Sequence, residues 1–127
     1  GLGLLHTHTV MSSEKSLIDV EGTHLPTGKP LSGYEMHIGK TEGPDCAHPV
    51  LDLGGRMDGA TSPDGLVSGT YVHGLFTSDA FRSAYLKDLG AGPSPLVYEQ
   101  QVEETLDALA EHLAKNLDAE ALLKAAS

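Results

Sequence analysis

Hydrophobic and polar residues alternate along the first two thirds of the chain and recur every three or four positions in the last third. His6-Thr7-His8-Thr9-Val10-Met11 alternates β-branched residues and predicts a strand with His6 and His8 on one face. Ser12 to Ser16 predicts a turn, and Leu17 to Leu25 predicts a second strand that ends at Pro26. Leu31 to Ile38 predicts a third strand. Its alternation puts Tyr34, Met36 and Ile38 on an expected core face, and Gly33, Glu35 and His37 on an expected polar face. After loop-like Lys40 to Pro49, Val50 to Leu53 and Gly54-Gly55-Arg56 predict a short hairpin, with Met57-Asp58-Gly59 beyond it. Leu66 to Val72, following the turn signal Ser62-Pro63-Asp64-Gly65, predicts a buried strand running into His73.

Thr77 or Ser78 then caps a helix with Phe81, Ala84, Tyr85 and Leu89 on one side, closed by Gly90. Beyond the break from Ala91 to Pro95, Val102, Leu106, Leu109, Leu113 and Leu117 form one apolar stripe of an amphipathic helix. Asp118 caps a last helix, Ala119 to Ala125. The class this pattern predicts is α/β, with a strand-rich first half and a helical carboxyl end.

Length and charge narrow the reading. The 127 residues suffice for one domain with one core. Eighteen acidic against eight basic side chains leave a net charge of -10. Such a surface repels phosphate backbones and anionic lipid, so neither nucleic acid nor membrane is an expected partner. A single cysteine, Cys46, makes no internal disulfide and suits a reducing cytoplasm. The opening Gly1-Leu2-Gly3-Leu4-Leu5, with no initial methionine, reads as the middle of a longer chain.

The candidate chemistry centres on His73, at the end of a strand just before a helix start, where open α/β sheets place reactive groups. A satisfied structural histidine would have the same pattern. Glu35 and His37, two residues apart on one strand face, are placed to share a hydrogen-bonding network. The plainer reading is an exposed polar strip. Cys46 lies in a loop with no local helix start or basic partner to stabilise a thiolate, and is read as a bystander. His6, His8, His24 and His37 suggest a metal site only as a third reading, with no cysteine or carboxylate cluster beside the first pair, so no metal is expected.

Several blocks taken in order resemble one family, the carboxyl-terminal part of cobyric acid synthase, a glutamine-dependent amidotransferase of cobalamin biosynthesis. They are Gly22-Thr23-His24-Leu25, Gly33-Tyr34-Glu35-Met36-His37-Ile38-Gly39-Lys40-Thr41, Gly43-Pro44-Asp45-Cys46, Asp64-Gly65, Gly69-Thr70-Tyr71-Val72-His73-Gly74-Leu75-Phe76 and Phe81-Arg82. The opening Gly1 to Leu5 is similar to the segment after that family's nucleophile elbow, and the terminal helix with Leu106, Ala108, Leu109 and Ala110 is similar to its end.

The resemblance implies part of a class I glutamine amidotransferase-like domain of Rossmann or flavodoxin-like fold, residues 1–127 being its carboxyl-terminal portion with the elbow upstream. It implies glutamine as substrate and His73 as general base and acid to a cysteine nucleophile absent from this chain. By itself the chain is expected to be inactive. Tyr34 and His37 are expected to help bind substrate. The position two after the histidine, where many class I enzymes carry glutamate, is Leu75, so Glu35 is the expected orienting acceptor. The ammonia is expected to pass to a synthetase domain of the same parent protein, which uses ATP and Mg to amidate corrinoid carboxylates, taking adenosylcobyrinate a,c-diamide to cobyric acid. This segment itself is expected to bind no cofactor. Self-association through an exposed sheet edge is a further expectation. The alternative reading is a non-catalytic interaction module docking on another chain.

Overall fold

A long antiparallel hairpin forms the spine of the strand-rich part of the chain, up to Ser94. The computed structural model describes residues 2–126, with side chains for all but Glu14 and Ser16. Gly1, where the Gly-Leu-Gly-Leu-Leu opening starts, and Ser127 lie outside the described residues. Strand β1 (His8–His24) pairs with β2 (Lys29–Glu42) from His24 opposite Lys29 to His8 opposite Glu42. The expected turn at Ser12 to Ser16 is instead an irregularity inside β1, where the register shifts between Val10 and Lys15. That stretch holds no glycine or proline to reverse the chain, so the extra residues bulge from a continuous strand.

Strands β3 (Leu51–Asp52) and β4 (Met57–Asp58) form the expected hairpin beside β1, and β7 (Val72–His73) pairs with β2 at the other edge. The sheet order is β4-β3-β1-β2-β7, and β5 (Ala60–Thr61) with β6 (Ser68–Gly69) makes a separate two-stranded ladder. Every pairing among the described residues is antiparallel. The architecture is mixed α/β, strands first and helices last.

The continuous strand expected over Leu66 to Val72 is broken, and Leu66 is 83% exposed. Asp64 Oδ1 accepts from the Ser62 hydroxyl and from the Leu66 N–H, while Ser62 Oγ accepts from the Val67 N–H. The turn therefore consumes the start of the expected strand. At Thr70–Tyr71 the chain crosses from the small ladder to the large sheet.

The faces of β2 are the reverse of the expectation. Tyr34, Met36 and Ile38 are 42%, 37% and 38% exposed, whereas Glu35 is 2% exposed. The reason is where the apolar mass lies. Leu31, two and three alternations from Glu35 and His37 on the same face, joins Val50, Leu51, Val72 and Phe81 in the core, with Val20, Leu53, Leu75 and Tyr85 packed around them. Phe81 and Tyr85 come from helix α1 (Asp79–Asp88), so that helix buries the face carrying the carboxylate. Gly90 at φ +79 ends α1, with the Ala91 N–H bonded to the Leu86 carbonyl at 2.9 Å. Ser78 occupies the capping position, but its hydroxyl accepts from the Ser32 N–H of β2 at 3.0 Å and ties the helix start to the sheet.

The chain divides into two compact units, one up to Ser94 and one from Pro95 onward. The second holds α2 (Tyr98–Asn116) and α3 (Ala119–Ala125). Asp118 caps α3 as expected, its Oδ1 accepting from the Ala121 N–H at 3.0 Å. Within that unit Leu106, Leu109 and Leu113 are about half exposed, at 51%, 51% and 45%.

Candidate active site

His73 ends the edge strand β7, opposite Tyr34 of β2, and its side chain is exposed. The two rings stack with centroids 5.0 Å apart and planes 9° from parallel. This pair shares the open sheet face with Met36 and Ile38, and with Leu17, which stands opposite Met36. Gly33 makes the approach feasible, because a Cβ there would run into the His73 carbonyl. The turn after His73 begins at Gly74, at φ +82, and Arg82 secures it. Arg82 Nη1 donates to the Phe76 carbonyl at 2.6 Å, Nη2 to Asp79 at 2.5 Å and Nε to Ser94 at 3.1 Å. The imidazole thus stands on a fixed base, open to a reactant on one side.

The other face of β2 looks into a cavity of about 640 Å³. Glu35 is held there by Arg56, Oε2 closely by Nη2 and Oε1 by Nη1 at 3.4 Å. His37 Nδ1 lies 3.2 Å from Glu35 Oε1, at ion-pair reach but off hydrogen-bonding alignment, so this buried nitrogen has no hydrogen-bond partner. The His37 ring tilts against Tyr71 at 5.0 Å. The Tyr71 hydroxyl joins those of Thr41, at 2.5 Å, and Thr9, at 3.2 Å. Thr70 Oγ1 donates to Asp58 Oδ2 at 2.5 Å.

This placement corrects one expectation. Glu35 stands opposite Val72 in the ladder, one residue out of phase with His73, so the two side chains leave opposite faces of the sheet. Glu35 serves Arg56 and His37 instead of orienting His73. His37 lies with Glu35, away from His73, while Tyr34 lies beside it. Cys46, half-buried in a one-turn helix at Pro44–Ala47, lines the cavity on the Glu35 side and is not brought to His73. The histidines of the metal reading are dispersed. His6 precedes β1 and donates its N–H to Asp45, and His24 packs edge-on against Phe81 at 4.9 Å. Among the described residues no group of three or more His, Cys, Asp and Glu is placed to hold a metal ion.

Burial lowers the pKa of His24, with Asp88 opposing the shift. Its Nδ1 accepts from the Thr27 N–H at 3.3 Å and lies 2.9 Å from the Thr27 hydroxyl, which leaves the ring proton on Nε2. Spacing signalled the Glu35–His37 pair, but nothing in the sequence pointed to Arg56, Asp58 or Thr70. They meet through side chains from separate parts of the chain, Arg56 and Asp58 at the β3–β4 hairpin and Thr70 just before β7.

The model of the CobB/CobQ-like glutamine amidotransferase domain matches residues 1–81. The chain is similar to the cobyric acid synthase of Cereibacter sphaeroides, 56% identical over 123 residues, or 97% of this chain and 26% of that protein. It is 55% identical to that of Methylorubrum populi over 125 residues, 98% of this chain and 26% of the relative. The Xanthobacter autotrophicus cobyric acid synthase is 57% identical over 129 residues, 99% of this chain and 26% of the relative. The chain therefore spans 26% of the length of these curated relatives. No solved structure matches it. Among the described residues no helix is long and apolar enough to cross a membrane. The chain belongs to the CobB/CobQ-like glutamine amidotransferase domain family, and it matches that region of cobyric acid synthases.

Proposed function

We propose that these residues are the histidine-bearing, carboxyl-terminal portion of a class I-like glutaminase domain in a cobyric acid synthase. In this reading a cysteine from a segment outside these residues gives its proton to His73 and attacks the side-chain amide of glutamine. The C–N bond breaks, His73 returns the proton to the leaving ammonia, and a glutamyl thioester remains. Water, deprotonated by His73, then releases glutamate. The ammonia passes to a synthetase domain of the parent protein, which uses ATP and Mg to amidate corrinoid carboxylates in cobalamin biosynthesis, from adenosylcobyrinate a,c-diamide to cobyric acid. The Tyr34 ring is a wall against which the glutamine amide rests. The setting is the cytoplasm.

The observation that carries this reading is an exposed imidazole, braced by a stacked ring, on an uncovered apolar sheet face. A base that must meet a sulfur on another segment needs such an open side. The chain alone is therefore inactive as a glutaminase. The test is His73→Ala in the full-length protein, assayed with glutamine and with ammonia as nitrogen donor. Loss with glutamine and retention with ammonia supports the reading, and retention with both removes it. The docking-module alternative draws on the exposed leucines of α2 and is compatible with it.

A further inference from the structure

Strand β7 has only two residues in its ladder, Val72 and His73, too few to hold a reactive ring by sheet pairing alone. What holds it comes from the opposite face. Thr70 Oγ1 donates to Asp58 Oδ2 at 2.5 Å and accepts from the Val72 N–H at 3.1 Å. A carboxylate only accepts, so the single hydroxyl proton goes to Asp58 and a lone pair is left for Val72. Asp58 is itself fixed. It is 9% exposed, its carbonyl accepts from the Val50 N–H at 2.9 Å, and its Oδ1 lies 4.0 Å from Arg56 Nη1. Arg56 grips Glu35, the ladder partner of Val72. The residue before His73 is thus held through its amide and across the ladder by one polar circuit anchored on the buried carboxylates of Asp58 and Glu35. Among the described residues no side chain hydrogen-bonds to the His73 ring, whose lateral contact is the Tyr34 stack.

We propose that Asp58 and Thr70 are positioning residues for His73, setting the reach of its imidazole through the Val72 amide in place of a carboxylate bonded to the ring. This rests on the glutaminase reading above. Replacing the Thr70 hydroxyl by a methyl leaves both the Val72 N–H and Asp58 without their partner and frees the short strand to shift.

The test compares Thr70→Val, Thr70→Ser, Asp58→Asn and His73→Ala in the full-length enzyme, with kcat and KM for glutamine hydrolysis measured beside ammonia-supported amidation. Thr70→Val is expected to lower kcat roughly tenfold to a hundredfold, the scale of a small misplacement of a reacting group, with KM changed less than about twofold. Ammonia-supported turnover stays intact, and Thr70→Ser restores kcat. Should Thr70→Val fail to fold, Asp58→Asn decides: a severalfold loss of kcat with ammonia turnover intact supports the proposal, and wild-type kcat overturns it. A kcat loss that Thr70→Ser does not repair also overturns it. If His73→Ala abolishes glutamine turnover while Thr70→Val and Asp58→Asn match wild type, only the positioning role fails. If His73→Ala retains glutamine turnover, the glutaminase reading fails and takes this proposal with it.

Discussion

Tyr34 and His73 lie ring against ring, 5.0 Å apart and 9° from parallel, across the last rung of the pairing between β2 and β7. The stack limits rotation of an imidazole that stands at a strand end. Tyr34→Phe keeps a ring and is expected to preserve kcat for glutamine in the full-length enzyme. Tyr34→Ala is expected to reduce it severalfold to about tenfold, matching the roughly 0.5–1.5 kcal/mol such a pair supplies. Steady-state kinetics of the two variants check this.

Gly33→Ala places a methyl group against the His73 carbonyl, a backbone atom that can yield only by moving β7. The expected cost is about 1–3 kcal/mol in urea denaturation of the chain, the range for an overpacked site. The full-length variant should lose glutamine turnover as well.

Removing Arg56 strands Glu35, which is nearly sealed from water, whereas Arg56 is half exposed. Arg56→Met is expected to destabilise the fold by at most about 3 kcal/mol, the low end for breaking a buried pair, since water screens half of the guanidinium. Adding Glu35→Gln should recover part of that loss. A double-mutant cycle by denaturation measures it.

His24 has a folded pKa below its unfolded value, because burial disfavours the charged ring more than Asp88 favours it. The unfolded state therefore takes up the proton first as acid is added. The stability linked to this ring is fully present above the ordinary value of 6.5 and falls as pH drops toward the lowered folded value. His24→Gln cannot titrate and should flatten this part of the stability–pH curve. Thermal melts across the window read the difference.

Leu17, Tyr34, Met36 and Ile38 form an uncovered apolar strip on the His73 face. The isolated chain is expected to self-associate at high concentration through it, and Met36→Lys should shift sedimentation toward monomer.

The sequence made the elements more legible than their faces. Period-two alternation revealed β2, and Ser78, Gly90 and Asp118 marked helix ends, because those signals act within a few residues. Which side of β2 becomes core depends on where α1 lands, and Phe81 lies far along the chain from Leu31. Alternation alone therefore assigns Tyr34, Met36 and Ile38 to the wrong side. At Ser12 to Ser16, polarity suggested a turn that the long partner strand overrode. The break at Thr70–Tyr71 depends on a hydroxyl meeting Asp58, a contact that spacing does not encode.

If His73 works on a sulfur carried by another segment, the alkylation of that sulfur must depend on pH through the His73 imidazole. In the full-length enzyme the nucleophilic cysteine should react with iodoacetamide well below the usual thiol pKa of about 8.5, since a paired imidazolium stabilises thiolate. His73→Ala should move the alkylation profile up toward that value. An unchanged profile in the variant would mean that His73 is not the partner of that sulfur.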